Sequence, residues 1–354
     1  MTKQQTPAEL GYYMPPEWYQ HSATWLAWPK DPLTWPERVP QAEEIFLRMI
    51  EALAPHETVN VLVDDEVIET SVKERCNFPA ATNVRFHRIA TVDSWIRDYG
   101  PNFLLSDKGE LAFNDWTFNA WGDKYEELKR DDAIPKRLQS TLDIPNVARF
   151  EPGIVLEGGS IDVNGAGVVM TTEQCLLNPN RNPQLDCAQI EARLKNYLGV
   201  EQVLWLGEGI AGDDTDGHID DIARFVSPTT IVCAMEDDPA DENYRLLQDN
   251  YKRLSLARDA RGLALNIIQL PMPGHIEGRE GRLPASYANF YIANEVVLLP
   301  IYGHSNDARA IEILQSLFTH RKVIPINCEP LVWGMGAIHC VTQQQPASTT
   351  TQAA

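Results

Sequence analysis

The chain has 354 residues, of which 30 are lysine or arginine and 50 are aspartate or glutamate, so its formal net charge at pH 7 is -20. A field of this sign disfavours nucleic acid and anionic membrane as partners and concentrates small cations near the protein. No apolar run nears the length that spans a bilayer, and residues 1–11 lack the basic start and apolar core of a signal peptide. We therefore expect a cytoplasmic protein.

Hydrophobic periodicity predicts strands and helices that alternate along the whole chain. Strands are predicted at residues 23–29, 58–63, 84–89, 103–105, 110–116, 154–157, 161–163, 167–171, 203–206, 219–226, 230–235, 267–270, 291–302 and 323–326. Helices are predicted at residues 41–54, 189–197, 241–261 and 307–319, the last with Asn306 as its N-cap. No low-complexity linker interrupts them, so we expect one α/β domain over residues 1–346. The polar residues 343–354 are typical of a disordered segment, and we place a disordered tail at 347–354.

Two carboxylates lie at predicted strand ends. Asp98 follows Trp95 and Arg97 just before a Gly-Pro break, and Glu157 ends a predicted strand before a Gly-Gly turn. Each has an ordinary structural explanation, since Asp98 could form a salt bridge with Arg97 and Glu157 could be a turn residue. Each also has the position of a binding residue on a loop that a rigid scaffold holds.

The densest acidic stretch, residues 212–221, contains a histidine. A calcium loop is excluded, because with its invariant glycine at Gly217 the first and last ligand positions carry glycine and alanine. A strand beginning at His218 would place His218 and Asp220 on one face. A neighbouring carboxylate would orient the imidazole and stabilise its charged form, as a general acid/base requires. A structural pair or a solvated acidic loop remains the alternative.

Residues 334–342 carry a cysteine behind two glycines. Alternation over residues 338–342 predicts a short strand with Cys340 on one face and His339 on the other, so that His339 could not serve Cys340 as a base. The glycines let backbone or ligand come close, as around a nucleophile. The alternative is a small buried hydrophobic residue, which is the commoner fate of a lone cysteine.

Six cysteines occur without a CxxC pair or the Cys/His spacing of a zinc site. A chain of this length can fold without disulfides, so we expect reduced thiols and no metal. One thiol, one histidine and three carboxylates at strand-to-loop junctions then suggest a pocket for a planar cation. Carboxylates match the fork of a guanidinium, and the poorly electrophilic guanidinium carbon requires a strong nucleophile such as a thiolate.

The chain resembles the agmatine deiminases, which belong to the bacterial-type peptidylarginine deiminase family of the guanidine-modifying (pentein) superfamily. The resemblance covers residues 13–346. It is carried by the segments WIRDYGP (95–101), EGGS (157–160), LLNPNRNP (176–183), DTDGHID (214–220) and IHCVTQQ (338–344).

This resemblance implies a five-bladed α/β propeller (pentein) of ββαβ repeats, with the site at the central axis. It implies that Cys340 is the nucleophile, His218 the acid/base, Asp98 and Asp220 the guanidinium clamps, and Glu157 a further carboxylate of the site. Substrate contacts are further expected from Trp95, Asp214 and Asn289, with Asp214 as the partner of a distal ammonium. One departure concerns residues 334–337, which read Gly-Met-Gly-Ala where agmatine deiminases usually carry Gly-Gly-Gly-Asn. The part of the substrate beyond the guanidinium is therefore the part most open to change.

The expected reaction is hydrolysis of agmatine to N-carbamoylputrescine and ammonia through a covalent thiouronium on the cysteine, a step toward putrescine. It needs no cofactor, and its partner is a small cationic guanidinium substrate; a homo-oligomer is left open. The nearest alternative is a deiminase of peptidyl or free arginine, and an amidinotransferase would use an amine in place of water. From a different class, a non-catalytic guanidinium-binding protein would need only the carboxylates. A papain-like protease is disfavoured, because the residues occur in the order His, Asp, Cys.

Overall fold

The computed structural model describes residues 5–141, 147–279 and 281–349. The strands are β1 (Tyr12–Tyr13), β2 (His21–Ala27), β3 (Thr58–Val63), β4 (Val84–Arg88), β5 (Asn102–Ser106), β6 (Leu111–Asn114), β7 (Ala148–Phe150), β8 (Asp162–Val163), β9 (Val168–Thr172), β10 (Gln202–Leu206), β11 (Ala223–Ser227), β12 (Thr230–Met235), β13 (Asn266–Pro271), β14 (Tyr291–Ile292), β15 (Val296–Ile301), β16 (Lys322–Asn327) and β17 (Gln343–Pro346). The helices are α1 (Val39–Leu53), α2 (Glu66–Arg75), α3 (Ile96–Tyr99), α4 (Ala120–Asp123), α5 (Ile134–Gln139), α6 (Glu173–Leu176), α7 (Cys187–Leu198), α8 (Asn243–Leu256), α9 (Asp307–Leu317) and α10 (Glu329–Val332). Short 3₁₀ helices lie at Ala8–Leu10, Ala81–Asn83, Glu126–Ala133, Gly158–Ser160 and Ile219–Asp221.

The strands form five sheets that repeat one pattern. In each sheet a first strand pairs antiparallel with a second, and the second pairs parallel with a third. The five sheets, or blades, are β5-β6-β7 with β1 added, β8-β9-β10, β11-β12-β13, β14-β15-β16 and β17-β2-β3 with β4 added. A parallel pair needs a crossover, and helices supply it between the second and third strands. This is the predicted ββαβ propeller, and the fold prediction is confirmed.

The ends of the chain meet in one blade, where the C-terminal β17 pairs with the N-terminal β2. First strands of neighbouring blades lie against one another, as β17 does against β5 and β11 against β8. Helices cover the sheets through apolar faces, so the second strands β2, β9, β12 and β15 are almost fully buried, whereas the outer strands β4, β13 and β16 are partly exposed. The apolar face of α1 consists of Ala42, Ile45, Phe46, Met49, Ile50 and Leu53.

Four predicted elements differ from the structure. Residues 219–221 form a 3₁₀ turn, and the strand starts only at Ala223. The predicted strand at 154–157 is reduced to a bridge between Val155 and Thr117. The strand predicted at 291–302 is divided into β14 and β15, and α8 ends at Leu256 rather than at residue 261. Asn306 does not cap α9, because its side chain donates instead to the carbonyl of Met272.

The polar C-terminal segment is ordered further than its composition predicts. Residues 343–346 form β17, and the Ala347 N–H donates to the carbonyl of Gln20 (2.7 Å). Ser348 and Thr349 both donate to the carbonyl of Gly109. The predicted disorder is therefore wrong for residues 343–349, because their backbone completes a sheet, and residues 350–354 lie outside the described part. The single domain over residues 1–346 stays a prediction. Among the described residues, no helix combines the length and apolarity that crossing a bilayer demands.

Candidate active site

Each of the five blades contributes one polar segment immediately before its first strand. Asp98 precedes β5, Glu157 precedes β8, His218 and Asp220 precede β11, Asn289 precedes β14, and Cys340 precedes β17. Because the first strands are the equivalent positions of the five repeats, these segments reach the same end of the propeller. All six side chains are buried.

Cys340 lies in a tight turn, so the predicted strand is wrong. The Thr342 hydroxyl donates to the carbonyls of Ile338 (3.1 Å) and His339 (3.0 Å), which closes the turn. The Asn289 side chain holds this turn from the next blade, because its Oδ1 accepts from the His339 N–H (2.9 Å) and its Nδ2 lies 3.2 Å from Cys340 Sγ. Asn289 thus contacts the cysteine itself, and we interpret it as a support of the nucleophile.

Asp98 and His218 face each other across Gly159. Asp98 Oδ2 accepts from Trp121 Nε1 (2.9 Å), and its Oδ1 accepts from the Gly159 N–H (2.9 Å). The Oδ1 atom also lies 3.8 Å from His218 Nδ1, and His218 Nε2 lies 4.0 Å from Glu157 Oε2. The imidazole therefore sits between two carboxylates.

The prediction that His218 and Asp220 share a strand face is wrong, because the backbone turns as a 3₁₀ helix at Ile219–Asp221. Asp213 enforces that turn: its carboxylate accepts from the backbone N–H groups of Gly217 and His218, both at 3.0 Å. The structure nevertheless brings Asp220 to the site, with its Oδ2 3.8 Å from Cys340 Sγ.

His339 also belongs to the site, contrary to the prediction that it faces away. Its Nδ1 lies 2.6 Å from Asp220 Oδ2, and its Nε2 lies 2.7 Å from Glu17 Oε2. In a strand, consecutive residues point apart, whereas the turn lets Cys340 and His339 approach the same carboxylate.

The fully buried Arg181 side chain holds the fully buried carboxylate of Glu157. Its Nε donates to Glu157 Oε1 (2.6 Å), its Nη1 to Asp216 Oδ2 (2.7 Å) and its Nη2 to the Thr215 carbonyl (2.8 Å). Arg181 therefore ties the acidic loop to Glu157. Sequence reasoning missed this role, although Arg181 lies within the LNPNRNP segment.

Among the described residues, one buried group has donor atoms of metal-ligand type within 4.8 Å of one another: Glu157, Cys175 and His218. The Arg181 guanidinium already compensates the charge of Glu157. We assign no metal to this cluster.

The Trp121 indole reaches Asp98 from an unusual backbone turn. All four residues of α4 have positive φ: Ala120 54°, Trp121 55°, Gly122 87° and Asp123 64°. A left-handed turn costs roughly 1–2 kcal/mol per non-glycine residue, and such strain concentrates at functional sites. Trp121 therefore joins the site through a conformation that no local sequence pattern predicts.

Asp214 lies at the rim behind Trp121. Its Oδ2 accepts from the Tyr125 hydroxyl (2.6 Å), and the Tyr125 ring packs edge-on against Trp121, with centroids 5.9 Å apart. Burial, followed by the charge of Asp213, raises the Asp214 pKa, although the Tyr125 hydrogen bond lowers it. Asp214 is thus connected to the site through two aromatic rings.

Trp95 and the divergent loop adjoin the cysteine. Trp95 Nε1 donates to Asp93 Oδ2 (2.9 Å), and its ring lies against Gly336, where a β-carbon would approach Trp95 Cζ3 to 2.6 Å and Cys340 Sγ to 3.2 Å. Met335 adopts φ 73°, a left-handed conformation that favours glycine. A methionine at this position therefore carries a strain that glycine would not.

Burial sets the protonation of the carboxylates and the thiol. It raises the pKa of Asp98 to about 6, and Asp220 and Glu157 add to the increase while His218 opposes it. Burial also raises the pKa of Cys340 well above its ordinary value, with further increases from Asp220, Asp221 and Asp98. The cysteine is therefore a neutral thiol before a cation enters.

For His218, burial lowers the pKa, but the carboxylates of Asp98 and Glu157 and the Cys175 thiol outweigh this effect, and the pKa lies well above its ordinary value. The imidazole is therefore protonated at rest. A protonated imidazole can give a proton to a leaving group.

Replacing Gly159 by alanine is expected to close the space between these groups. The added methyl would lie 2.7 Å from His218 Nδ1, 2.8 Å from Asp98 Oδ1 and 3.1 Å from Asp220 Oδ2. Overpacking of this kind costs about 1–3 kcal/mol, so we expect the dissociation constant of a guanidinium ligand to rise by about tenfold or more in isothermal titration calorimetry.

The matched control is Gly207→Ala, whose methyl would meet the ends of two flexible side chains, Asp249 at 3.1 Å and Arg253 at 3.4 Å. That variant should bind like the parent protein. Unchanged affinity in Gly159→Ala would show that the ligand sits elsewhere.

Comparisons with known proteins agree with this geometry. The family of Porphyromonas-type peptidyl-arginine deiminases matches residues 13–346. The agmatine deiminase of Stutzerimonas stutzeri (strain A1501) is 39% identical over 365 residues, which cover 97% of each chain. The solved agmatine deiminase of Enterococcus faecalis is 35% identical, with a TM-score of 0.90 over 97% of this chain and 98% of that one.

A C. jejuni agmatine deiminase, solved as a cysteine-to-serine variant with substrate bound, is 31% identical, with a TM-score of 0.85 over 95% of this chain and 97% of that one. A dimethylarginine dimethylaminohydrolase is only 13% identical, with a TM-score of 0.52 over 92% of this chain and 100% of that one, and it shares the fold alone. A match over nearly the full length, at this identity, identifies the family. The chain belongs to the Porphyromonas-type peptidyl-arginine deiminases.

Proposed function

We propose that this protein is an agmatine deiminase, which hydrolyses agmatine to N-carbamoylputrescine and ammonia. One observation carries the proposal: Cys340, His218, Asp98 and Asp220 surround a single space that the glycine at position 159 keeps open. The space is acidic and suits a planar cation, and it offers a thiol and a protonated imidazole to it.

Binding comes first and depends on the two clamping carboxylates. Asp98 and Asp220 accept N–H groups of the guanidinium in charge-assisted hydrogen bonds, which fix the plane of the cation. Asp220 lies 3.8 Å from the Cys340 sulfur, so a guanidinium bonded to it brings its carbon toward the nucleophile.

The substrate itself activates the nucleophile. Burial and the carboxylates hold Cys340 as a thiol, and the entering cation compensates those carboxylates, so the Cys340 pKa falls as the substrate binds. The thiol proton leaves to solvent, and the thiolate forms a C–S bond with the guanidinium carbon, giving a neutral tetrahedral adduct.

His218 then acts twice. Its imidazolium protonates one amino group of the adduct, the C–N bond breaks, and ammonia leaves a cationic thiouronium on Cys340. The neutral imidazole next takes a proton from water, whose oxygen bonds to the same carbon. The C–S bond breaks, the hydroxyl proton of the product passes to the departing sulfur, and the neutral ureido product leaves the resting thiol and imidazolium restored.

The remainder of the substrate meets the rim. Asp214, whose carboxylate accepts a hydrogen bond from the Tyr125 hydroxyl, lies at this rim and is our candidate partner for the distal ammonium of agmatine. Met335 and Ala337 stand in the loop where agmatine deiminases usually carry glycine and asparagine, so the part of the substrate beyond the guanidinium is what the substrate panel below tests.

We further propose a reducing, cytoplasmic setting and a role in putrescine formation. All six cysteines have free thiols, and the reaction needs one of them reduced. The ureido product is a carbamoylated amine, which a carbamoyl-removing enzyme must consume.

A substrate panel tests the function. Agmatine, arginine and an arginyl peptide are incubated separately with the protein, and ammonia and ureido product are measured. We expect agmatine to give the highest kcat/KM. Preference for the peptide or for free arginine would overturn the substrate assignment. Transfer of the amidino group to an added amine, without formation of a ureido product, would indicate an amidinotransferase.

A further inference from the structure

We propose that His339, held in place by Glu17, positions Asp220 for the guanidinium and keeps that carboxylate ionised. His339 is then a positioning residue that acts through Asp220. The inference rests on the proposed function, because it assigns Asp220 to the guanidinium.

The hydrogen bonds determine which oxygen of Asp220 is free. His339 Nδ1 lies 2.6 Å from Oδ2, which leaves Oδ1 buried and without a hydrogen-bond partner among the described residues. A buried acceptor without a partner is costly, and an incoming N–H group would satisfy it. His339 thus fixes Oδ2, the oxygen that also lies 3.8 Å from Cys340 Sγ, and leaves Oδ1 as the acceptor that still lacks a partner.

Glu17 in turn fixes the imidazole. Its Oε2 lies 2.7 Å from His339 Nε2, while its Oε1 accepts from the Ile292 N–H (2.8 Å) and pairs with Arg224 Nη2 (2.9 Å). Burial raises the Glu17 pKa, but Arg224, His339 and Arg97 lower it far more, so Glu17 stays charged. Two carboxylate oxygens, one of Glu17 and one of Asp220, therefore flank the two ring nitrogens of His339 and fix the plane of the ring.

The same cavity contains an internal comparison. Asp98 also faces a histidine, but at 3.8 Å from His218 Nδ1 it makes no hydrogen bond to that ring, and burial raises its pKa to about 6. Burial also raises the pKa of Asp220, but the hydrogen bond and charge of His339 lead the opposing effects, and the net pKa lies below the ordinary value. The charged or titratable groups that face Asp220 are His339, His218, Arg224, Asp221, Asp98 and Cys340.

Removing His339 should therefore move the titration of Asp220 upward. With the imidazole gone, burial would raise the Asp220 pKa, and the charge of an ionised Asp98 would raise it further. Guanidinium binding needs the ionised carboxylate, so affinity would then be lost at a higher pH than in the parent protein.

The test measures agmatine binding by isothermal titration calorimetry between about pH 5 and about pH 9, in a Cys340→Ala background that removes the Cys340 thiol and its titration. With His339 present, the affinity for agmatine should fall as the pH drops below about 6, with the pH dependence of a single protonation, because Asp98 becomes protonated. When His339→Asn is added, the pH dependence of agmatine affinity should involve a second protonation, that of Asp220. The midpoint of the loss of affinity should then lie at a higher pH. Near pH 6 the added loss should be about ten- to a hundredfold, shrinking as the pH increases.

The matched control is His21→Asn. His21 is also buried, lies 3.3 Å from Glu57 Oε1 and 2.7 Å from the Glu17 carbonyl, and touches none of the proposed site side chains. It should keep the parent pH dependence. Should His339→Asn not fold, as judged by near-UV circular dichroism, Glu17→Gln gives the same test with a smaller shift.

An unchanged pH dependence in the His339 variant, or a loss that is equal at every pH, would overturn the inference. Failure of the proposed function is a separate result, seen as absence of agmatine turnover by the unmodified protein in the substrate panel.

Discussion

Replacing Cys340 by alanine is expected to abolish turnover of agmatine, with kcat lowered by at least about four orders of magnitude. The Cys340 thiol is a strong nucleophile at the clamp, since the sulfur lies 3.8 Å from Asp220 Oδ2, and Asn289 Nδ2 holds the sulfur at 3.2 Å. Without it no C–S bond forms, and water alone must attack a resonance-stabilised cation. Ammonia release under saturating agmatine measures the loss.

Binding should survive this substitution. The clamping carboxylates are untouched, so the dissociation constant for agmatine should change by less than about tenfold, or about 1.4 kcal/mol. Cys187→Ala is the matched control, because Cys187 is an exposed thiol at the start of α7 and should leave both rate and affinity unchanged. Turnover that persists in the Cys340 variant would exclude the covalent route.

Replacing His218 by asparagine is expected to lower kcat by about two to four orders of magnitude, the usual contribution of a general acid/base. The imidazole is protonated at rest because Asp98, at 3.8 Å from its Nδ1, and Glu157, at 4.0 Å from its Nε2, outweigh burial. An amide in its place can neither protonate the leaving ammonia nor activate water. Rapid-quench measurements of ammonia and of protein-bound adduct by mass spectrometry report the two steps separately.

The control is His275→Asn. His275 is exposed and pairs with Glu277 at 2.7 Å, so it tests the effect of losing an imidazole without touching the site. It should retain full activity. A His218 variant with kcat within about threefold of the parent would assign the proton transfers to another group.

Much of the site could be predicted as residue types. Asp98, Glu157, His218, Asp220 and Cys340 stand at junctions where the chain leaves one blade and enters the next, and their chemistry points to a cation. Their positions could be anticipated because each lies beside a turn signal such as Gly-Gly or Gly-Pro. The backbone conformation of those junctions could not be anticipated from the sequence.

His339 shows why. Local alternation predicts a strand, in which His339 would face away from the nucleophile. Asn289, contributed by a different blade, accepts the His339 N–H and, with the Thr342 hydroxyl, holds a turn instead. A contact between segments about fifty residues apart overrides the local preference, and no window of the sequence contains it.

Trp121 was missed for a related reason. Its φ of 55° is disfavoured for any side chain, and it is stabilised by bonds to residues outside the turn, among them the indole hydrogen bond to Asp98. Arg181 was missed because three of its four acceptors lie far away in the sequence, one on Glu157 and two in the loop at 215–216.

The sequence by itself determined the alternation of strands and helices and the inventory of acids, thiol and imidazole, because periodicity and side-chain chemistry are local properties. The five equivalent positions before the first strands, the turn that brings His339 and Cys340 to one carboxylate, and the protonation states were decided only by the tertiary structure. Burial and charge pairing depend on distances between blades, and those distances exist only when the propeller has closed.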